Sequence, residues 1–157
     1  MQYYAKITRE DGAFLVQFPD CPGCFTEGNT KEEALANAHE ALEGWLEAHL
    51  IRGSSPPKPN VSKGEPIAVD VILSAVLQIR WAREALGLSQ GQLAAKVGVT
   101  QQQIAKLESA GSKPGLHTLQ KVASALGSRL VVTLGDPPLP PLSKMKAKSP
   151  ERAKRAG

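Results

Sequence analysis

The sequence predicts an α+β protein: an N-terminal sheet packed on one long helix, then a C-terminal all-α helix-turn-helix unit that ends in a short strand. Three observations carry this reading. Apolar residues alternate with period two near the start, around Ala5 and Ile7 and again at Phe14, Val16 and Phe18. From about Ser74 the period is helical, with Arg129–Leu134 as the exception. The charge also changes sign along the chain. Residues 1–52 carry four basic and nine acidic side chains, a net −5, whereas 73–135 carry seven basic and two acidic, a net +5. An acidic part followed by a basic one fits two unlike partners, the second a polyanion, although solvated surfaces carry charge as well.

The bulk properties set wide bounds. A chain of 157 residues with 41% apolar content fits one ordinary domain or two small ones. No run approaches the ~20 apolar residues needed to cross a bilayer, so no membrane partner is expected. Met1-Gln2-Tyr3-Tyr4 lacks the charged-then-apolar plan of a signal peptide, and the expected location is the cytoplasm. Cys21 and Cys24 are the two cysteines, too few for a disulfide framework.

The elements follow in order. Tyr3 to Arg9 reads as a strand, Asp11-Gly12 as a tight hairpin turn, and Phe14 to Phe18 as its return. Pro19 and Pro22 end that strand, because proline has no N–H for a ladder, and a short third strand is expected around Cys24 to Glu27. Thr30 with Glu33 is a capping-box pair. Leu35, Ala38, Leu42, Trp45 and Leu46 then recur at helical spacing, predicting a helix from about Lys31 to about Leu50. Gly53-Ser-Ser-Pro-Pro-Lys-Pro is a loop by composition, and Ile67 to Ile72 is expected to return to the sheet. Pro137-Pro138-Leu-Pro-Pro stops regular structure, and residues 143–157 hold six basic side chains against Glu151. The reading divides the chain at 1–72, with a loop or linker at 53–66, at 73–135, and at a Pro-rich basic tail, 136–157, expected to be disordered.

The segment Leu88 to Ile104 is the most informative. Ser89 with Gln92 and Thr100 with Gln103 are capping-box pairs in quick succession, and Gly98 and Val99 are left between them for a turn. Leu93, Ala94, Val97, Val99, Ile104 and Leu107 would face one small core, leaving Gln101, Gln102, Ala105 and Lys106 outside. Side chains that both donate and accept hydrogen bonds suit a helix lying in a DNA major groove. A glutamine run alone is often just a solvated face; the double box, the glycine turn and the basic block together favour DNA. The segment from about Ile79 to Gly127 resembles the Cro/repressor helix-turn-helix family, most closely at Lys96-Val97-Gly98-Val99-Thr100-Gln101-Gln102. That resemblance implies helices at about Ser74–Leu86, Gln90–Val97, Gln101–Ser109 and Leu116–Leu126, with the family's last element here replaced by the strand Arg129–Leu134. It implies that Gln101 and Gln102 read base edges, with Gln103 and Lys106 close by. Gln90, Lys96, Ser112 and Lys113 become phosphate contacts, and Arg83 with Glu108 an internal ion pair. A homodimer, or a higher even oligomer, on a palindromic operator is the expected assembly, with reading helices ~34 Å apart.

Phe18-Pro19-Asp20-Cys21-Pro22-Gly23-Cys24, Thr26-Glu27-Gly28 and Glu33-Ala34 with Asn37-Ala38 occur in that order. Over residues 3 to about 50 this resembles the HicB antitoxin signature. The resemblance implies a truncated ribonuclease-H-like fold and a small RNA-cleaving partner, a HicA-type toxin, that the domain covers. An acidic domain suits a basic partner, since complementary fields speed encounter. Catalysis is not expected: a two-metal nuclease needs converging carboxylates, and Asp11, Asp20, Glu32, Glu40, Glu43 and Glu47 show no such set. Cys21-Pro-Gly-Cys24 has metal spacing but no second pair, and His39, His49 and His117 are scattered, so packing or turn duty is its reading and no metal or cofactor is expected. The leading expectation is an antitoxin that also represses its own operon. The competing one keeps the DNA-binding unit and makes the first domain a small-molecule sensor.

Overall fold

The computed structural model describes residues 1–135, and the expectation for the tail, 136–157, lies outside them. Strand β1 (Gln2–Glu10) and strand β2 (Ala13–Gln17) form an antiparallel hairpin in which Ile7 faces Val16 and Glu10 faces Ala13. The turn residues Asp11 and Gly12 have φ of 49° and 84°, the left-handed pair that matches the twist of the flanking strands. Strand β3 (Phe25–Gly28) joins the free edge of β2, and strand β4 (Glu65–Ala68) joins β1, with Tyr3 opposite Ile67. The resulting sheet has the order β3-β2-β1-β4.

Helix α1 (Lys31–Ile51) covers one face of this sheet. Thr30 Oγ1 accepts from the Glu33 amide at 3.1 Å, while Glu33 Oε2 reaches past the cap to accept from the Asn29 amide at 2.8 Å. Ala34, Ala38, Leu42, Leu46 and Leu50 make a single stripe that is buried against Tyr3, Ala5, Val16 and Ile67 of the sheet. Burying each leucine contributes roughly 1.5–3 kcal/mol, and the alanines let the helix approach closely.

The expected strand Ile67–Ile72 is shorter than its apolar run. Pairing ends at Ala68 because Asp70 starts a helix: its Oδ1 accepts from the amides of Ile72 and Leu73 at 2.9 and 3.0 Å. Helix α2 (Val71–Ala85) therefore begins three residues before Ser74. It is common to both cores. Leu73, Val76, Leu77 and Trp81 complete the core of the sheet. Ile79, on the opposite side, joins Leu93, Ile104, Leu107, Leu119, Val122 and Leu126. That second core unites helix α3 (Gln90–Val97), helix α4 (Gln101–Leu107) and helix α5 (Leu116–Ala125).

The loop after α1 is tied down through its backbone carbonyls and amides. Trp81 Nε1 donates to Pro56 O at 2.9 Å and the Tyr3 hydroxyl to Pro57 O at 2.6 Å. Asp20 Oδ2 accepts from the amides of Asn60 and Val61, both at 2.8 Å. The expected strand Arg129–Leu134 does not form. Leu130 is half-buried on the second core, but Val131, Val132 and Leu134 are 67%, 60% and 98% exposed. Strand propensity is present in this run, yet a strand exists by pairing, and the run pairs with no strand among the described residues. Among those residues no helix is long and apolar enough to cross a membrane.

Candidate nucleic-acid interface

The α3–turn–α4 geometry follows from its capping residues. Ser89 Oγ accepts from the Gln92 amide at 3.0 Å while Gln92 Oε1 accepts from the Ser89 amide at 2.8 Å. The same reciprocal pair forms one helix later, with Thr100 Oγ1 accepting from Gln103 N at 3.2 Å and Gln103 Oε1 accepting from Thr100 N at 2.9 Å. Between them Gly98 takes φ 79° and ψ 35°, a left-handed conformation that ends α3 at once and that a side chain would strain. Ile104 and Leu107 anchor α4 in the second core, so the opposite side of this helix is presented outward.

Gln101, Gln102, Gln103 and Lys106 are all exposed on α4. They differ in freedom. Gln103 has its carboxamide oxygen committed to the Thr100 cap. Gln101 lies across the first turn of α3, where a β-carbon added at Gly91 would stand 3.4 Å from its Oε1. Gln102 and Lys106 make no side-chain hydrogen bond among the described residues. Glutamine can pair with adenine N7 and N6, and an ammonium with guanine or phosphate, so the exposed face has the chemistry of groove readout.

Behind α4 lies a buried ion pair. Arg83 Nε and Nη2 donate to Glu108 Oε1 and Oε2 at 2.6 and 2.7 Å, and Nη1 donates to Leu88 O at 2.7 Å. The hydrogen bond to Glu108 raises the Arg83 pKa further, against the opposing effect of burial. Gln90, named from the sequence as a phosphate contact, has its side chain turned inward here: Nε2 donates to Glu108 Oε2 at 3.1 Å. Lys96 is exposed in the last turn of α3. Ser112 and Lys113 lie in the α4–α5 loop, on the rim of a cleft of about 340 Å³ whose other wall holds Glu47 and Asp70. The phosphate candidates thus occupy separate places: Lys96 on α3, Ser112 and Lys113 in the loop, and Gln90 against the ion pair.

In the sheet unit, Glu32, Glu40, Glu43 and Glu47 fall within about 80° on α1 at 100° per residue, a stripe rather than a converging set. Among the described residues no group of three or more His, Cys, Asp or Glu side chains is placed to hold a metal ion. Cys21 and Cys24 are unlinked and buried, and Cys24 Sγ donates to Ala41 O at 3.6 Å. Burial pushes the Cys21 thiol up to about 12, with Cys24 and Asp20 adding to the effect, and pushes Cys24 up to about 11. Thiols held in this state are poor nucleophiles and poor metal ligands at neutral pH.

Sequence reasoning missed three groups that fix this arrangement. Asp70 is a cap with no Glu or Gln partner to make a box. Asp20 and Arg80 bind loop backbone far along the chain, which leaves no periodic trace; an arginine beside Val76, Leu77 and Trp81 on one helical face was the available signal.

Comparison with known proteins agrees with this division of labour. Residues 3–67 match the family model described as HicB-like antitoxin of bacterial toxin-antitoxin systems, and residues 79–132 match the helix-turn-helix model. Antitoxin HicB 1 of Photorhabdus laumondii subsp. laumondii is 32% identical over 130 residues, covering 80% of this chain and 81% of that protein. Antitoxin HicB 2 of the same organism is 31% identical over 138 residues, covering 83% and 94%. Antitoxin HicB of Escherichia coli K12 is 26% identical over 137 residues, covering 85% and 99%. The chain therefore belongs to the HicB-like antitoxin family, with a helix-turn-helix unit in its C-terminal part.

Proposed function

We propose that this chain silences a HicA-type, RNA-cleaving toxin by covering it with the sheet unit, and represses its own operon by sequence-specific binding of operator DNA through α4. Its mechanism is occlusion, without chemistry of its own. The observation that carries the DNA half is the exposed face of α4, where Gln101, Gln102 and Lys106 project from a helix whose entry is fixed by the Thr100–Gln103 box. Gln101 and Gln102 would read base edges while Lys96, Ser112 and Lys113 hold phosphates. Gln90 would act from behind, through Glu108, as much as on a phosphate.

For the toxin half, support comes from the family match over 3–67 and from the acidic stripe of α1, whose field suits a basic RNA-binding partner. In this reading the sheet unit is a truncated ribonuclease-H-like fold, the working form is a homodimer or a higher even oligomer, and the protein acts in the cytoplasm, at the nucleoid when repressing. Selection from a random-sequence duplex pool tests the DNA half: one palindromic motif is expected, and retention of all sequences alike would refute it. Co-purification with the product of the neighbouring reading frame tests the toxin half, and a chain that comes down alone would leave the sensor reading in its place.

A further inference from the structure

Two buried arginines on α2 connect the sheet unit to the DNA-reading helix. Arg80 Nη2 donates to Gly53 O at 2.5 Å, and its Nε is shared between Ser55 Oγ at 2.8 Å and Glu84 Oε1 at 3.2 Å. The Ser55 hydroxyl in turn donates to Glu84 Oε1 at 2.7 Å. That same carboxylate oxygen stands 3.9 Å from Arg83 Nη2, and Arg83 continues to Glu108, which closes α4. The chain of contacts thus runs from the loop behind α1 to the end of α4, with cations and anions alternating.

The energetics make this more than adjacency. Arg80 is 7% exposed and Arg83 8%, so both guanidinium groups depend on their partners for the solvation they have lost. The two arginines and two glutamates are neutral as a set, and Glu84 is the member both arginines share. Its side chain is 40% exposed, so water screens part of its charge, but among the described residues no other carboxylate touches Arg80. Ser55 lies outside the segment that matches the helix-turn-helix model, yet its hydroxyl holds Arg80 and Glu84 together.

We infer that Ser55 and Glu84 are positioning residues for DNA binding: through Arg80 and Arg83 they set Glu108, and with it α4, relative to the sheet unit. The inference rests on α4 as the reading helix. Its consequence is that a partner pulling on the loop at 53–57 changes sequence selectivity without touching α4, whereas affinity for DNA in general is unaffected.

The test uses the full chain as Ser55→Ala, Ser55→Thr and Glu84→Gln, with Lys31→Met as a control that breaks the remote, exposed pair to Glu65. Nitrogen-15 spectra of the arginine Nε groups and amide exchange across α4 give a readout independent of DNA. A duplex selected by the unaltered chain, set against random duplex, gives the other. Ser55→Ala and Glu84→Gln are expected to shift the Arg83 Nε resonance, speed exchange at Ile104 to Glu108, and lower the selected-to-random affinity ratio by about five-fold. Ser55→Thr, which restores the hydroxyl, and Lys31→Met are expected to do none of these. An unmoved Arg83 resonance in folded Ser55→Ala overturns the inference, as does full selectivity in a variant whose resonance has moved. If the unaltered chain selects no duplex, the DNA reading itself falls, and the spectra still decide whether Ser55 and Glu84 position α4. Should Glu84→Gln fail to fold, Ser55→Ala carries both readouts.

Discussion

Arg83 holds Glu108 by two near-parallel hydrogen bonds, of 2.6 and 2.7 Å, across 25 residues of sequence. The side chains are 9% and 0% exposed, so neither charge has water to fall back on. Glu108→Ala is expected to lower stability by about 3–5 kcal/mol, because it strands a buried guanidinium. Urea denaturation measures this. The double replacement Arg83→Met with Glu108→Leu should recover most of the loss, and a double variant no more stable than Glu108→Ala would contradict the account.

Gln101 and Lys113 are expected to fail differently. Gln101→Ala should cost about 1–3 kcal/mol at one base position of the selected duplex, while Lys113→Ala weakens binding to every sequence and flattens the salt slope by about one. Anisotropy titrations at several salt concentrations separate the two. Equal loss on all duplexes for Gln101→Ala would remove it from the base-reading set.

Alkali should destabilise the sheet unit. The unfolded chain releases its cysteine protons near 9.0, whereas the folded one keeps them until about 12 at Cys21 and about 11 at Cys24. Tyr3, whose pKa burial also raises, adds in the same direction. Above pH 9 the unfolded state therefore binds fewer protons, and stability falls as pH rises. Urea midpoints are expected to agree at pH 7 and 8 and to drop from pH 9 upward, with a shallower drop in Cys21→Ala/Cys24→Ala. Identical slopes for the two proteins would show that the thiols contribute nothing.

Residues Arg129–Leu134 are expected to pair with their twins across a two-fold axis. Val131 and Val132, both exposed, would then face one another in an antiparallel ladder. Sedimentation of Val131→Asp/Val132→Asp should show monomer where the unaltered chain shows dimer. A variant that remains dimeric places the interface elsewhere.

What the sequence revealed was what repeats or what is local. The hairpin was visible in alternation, α1 in its spacing, and the two boxes at Ser89 and Thr100 in residues three apart. What it hid depends on distant partners. Asp20 binding the Asn60 amide, Trp81 binding Pro56 O and Arg80 binding Gly53 O join positions 25 to 40 residues apart through backbone atoms, which carry no side-chain signature. Gln90 shows the same limit at the site. At the opening of a helix its residue type suits phosphate or protein equally, and the location of Glu108 turns it inward. Arg129–Leu134 fails as a strand for a related reason: propensity is a property of the segment, but an edge to pair with is a property of the assembly.

Helix α2 also governs how such proteins can be recombined. A graft that gives the sheet unit a new helix-turn-helix unit by joining sequences at residue 72 discards Leu73, Val76, Leu77 and Trp81, and so opens the host's own hydrophobic centre. A seam placed after Leu86 keeps that centre closed, but the incoming module must then supply a mate for Arg83. Exchange of helix-turn-helix units between relatives should therefore require matched changes on both sides of the seam.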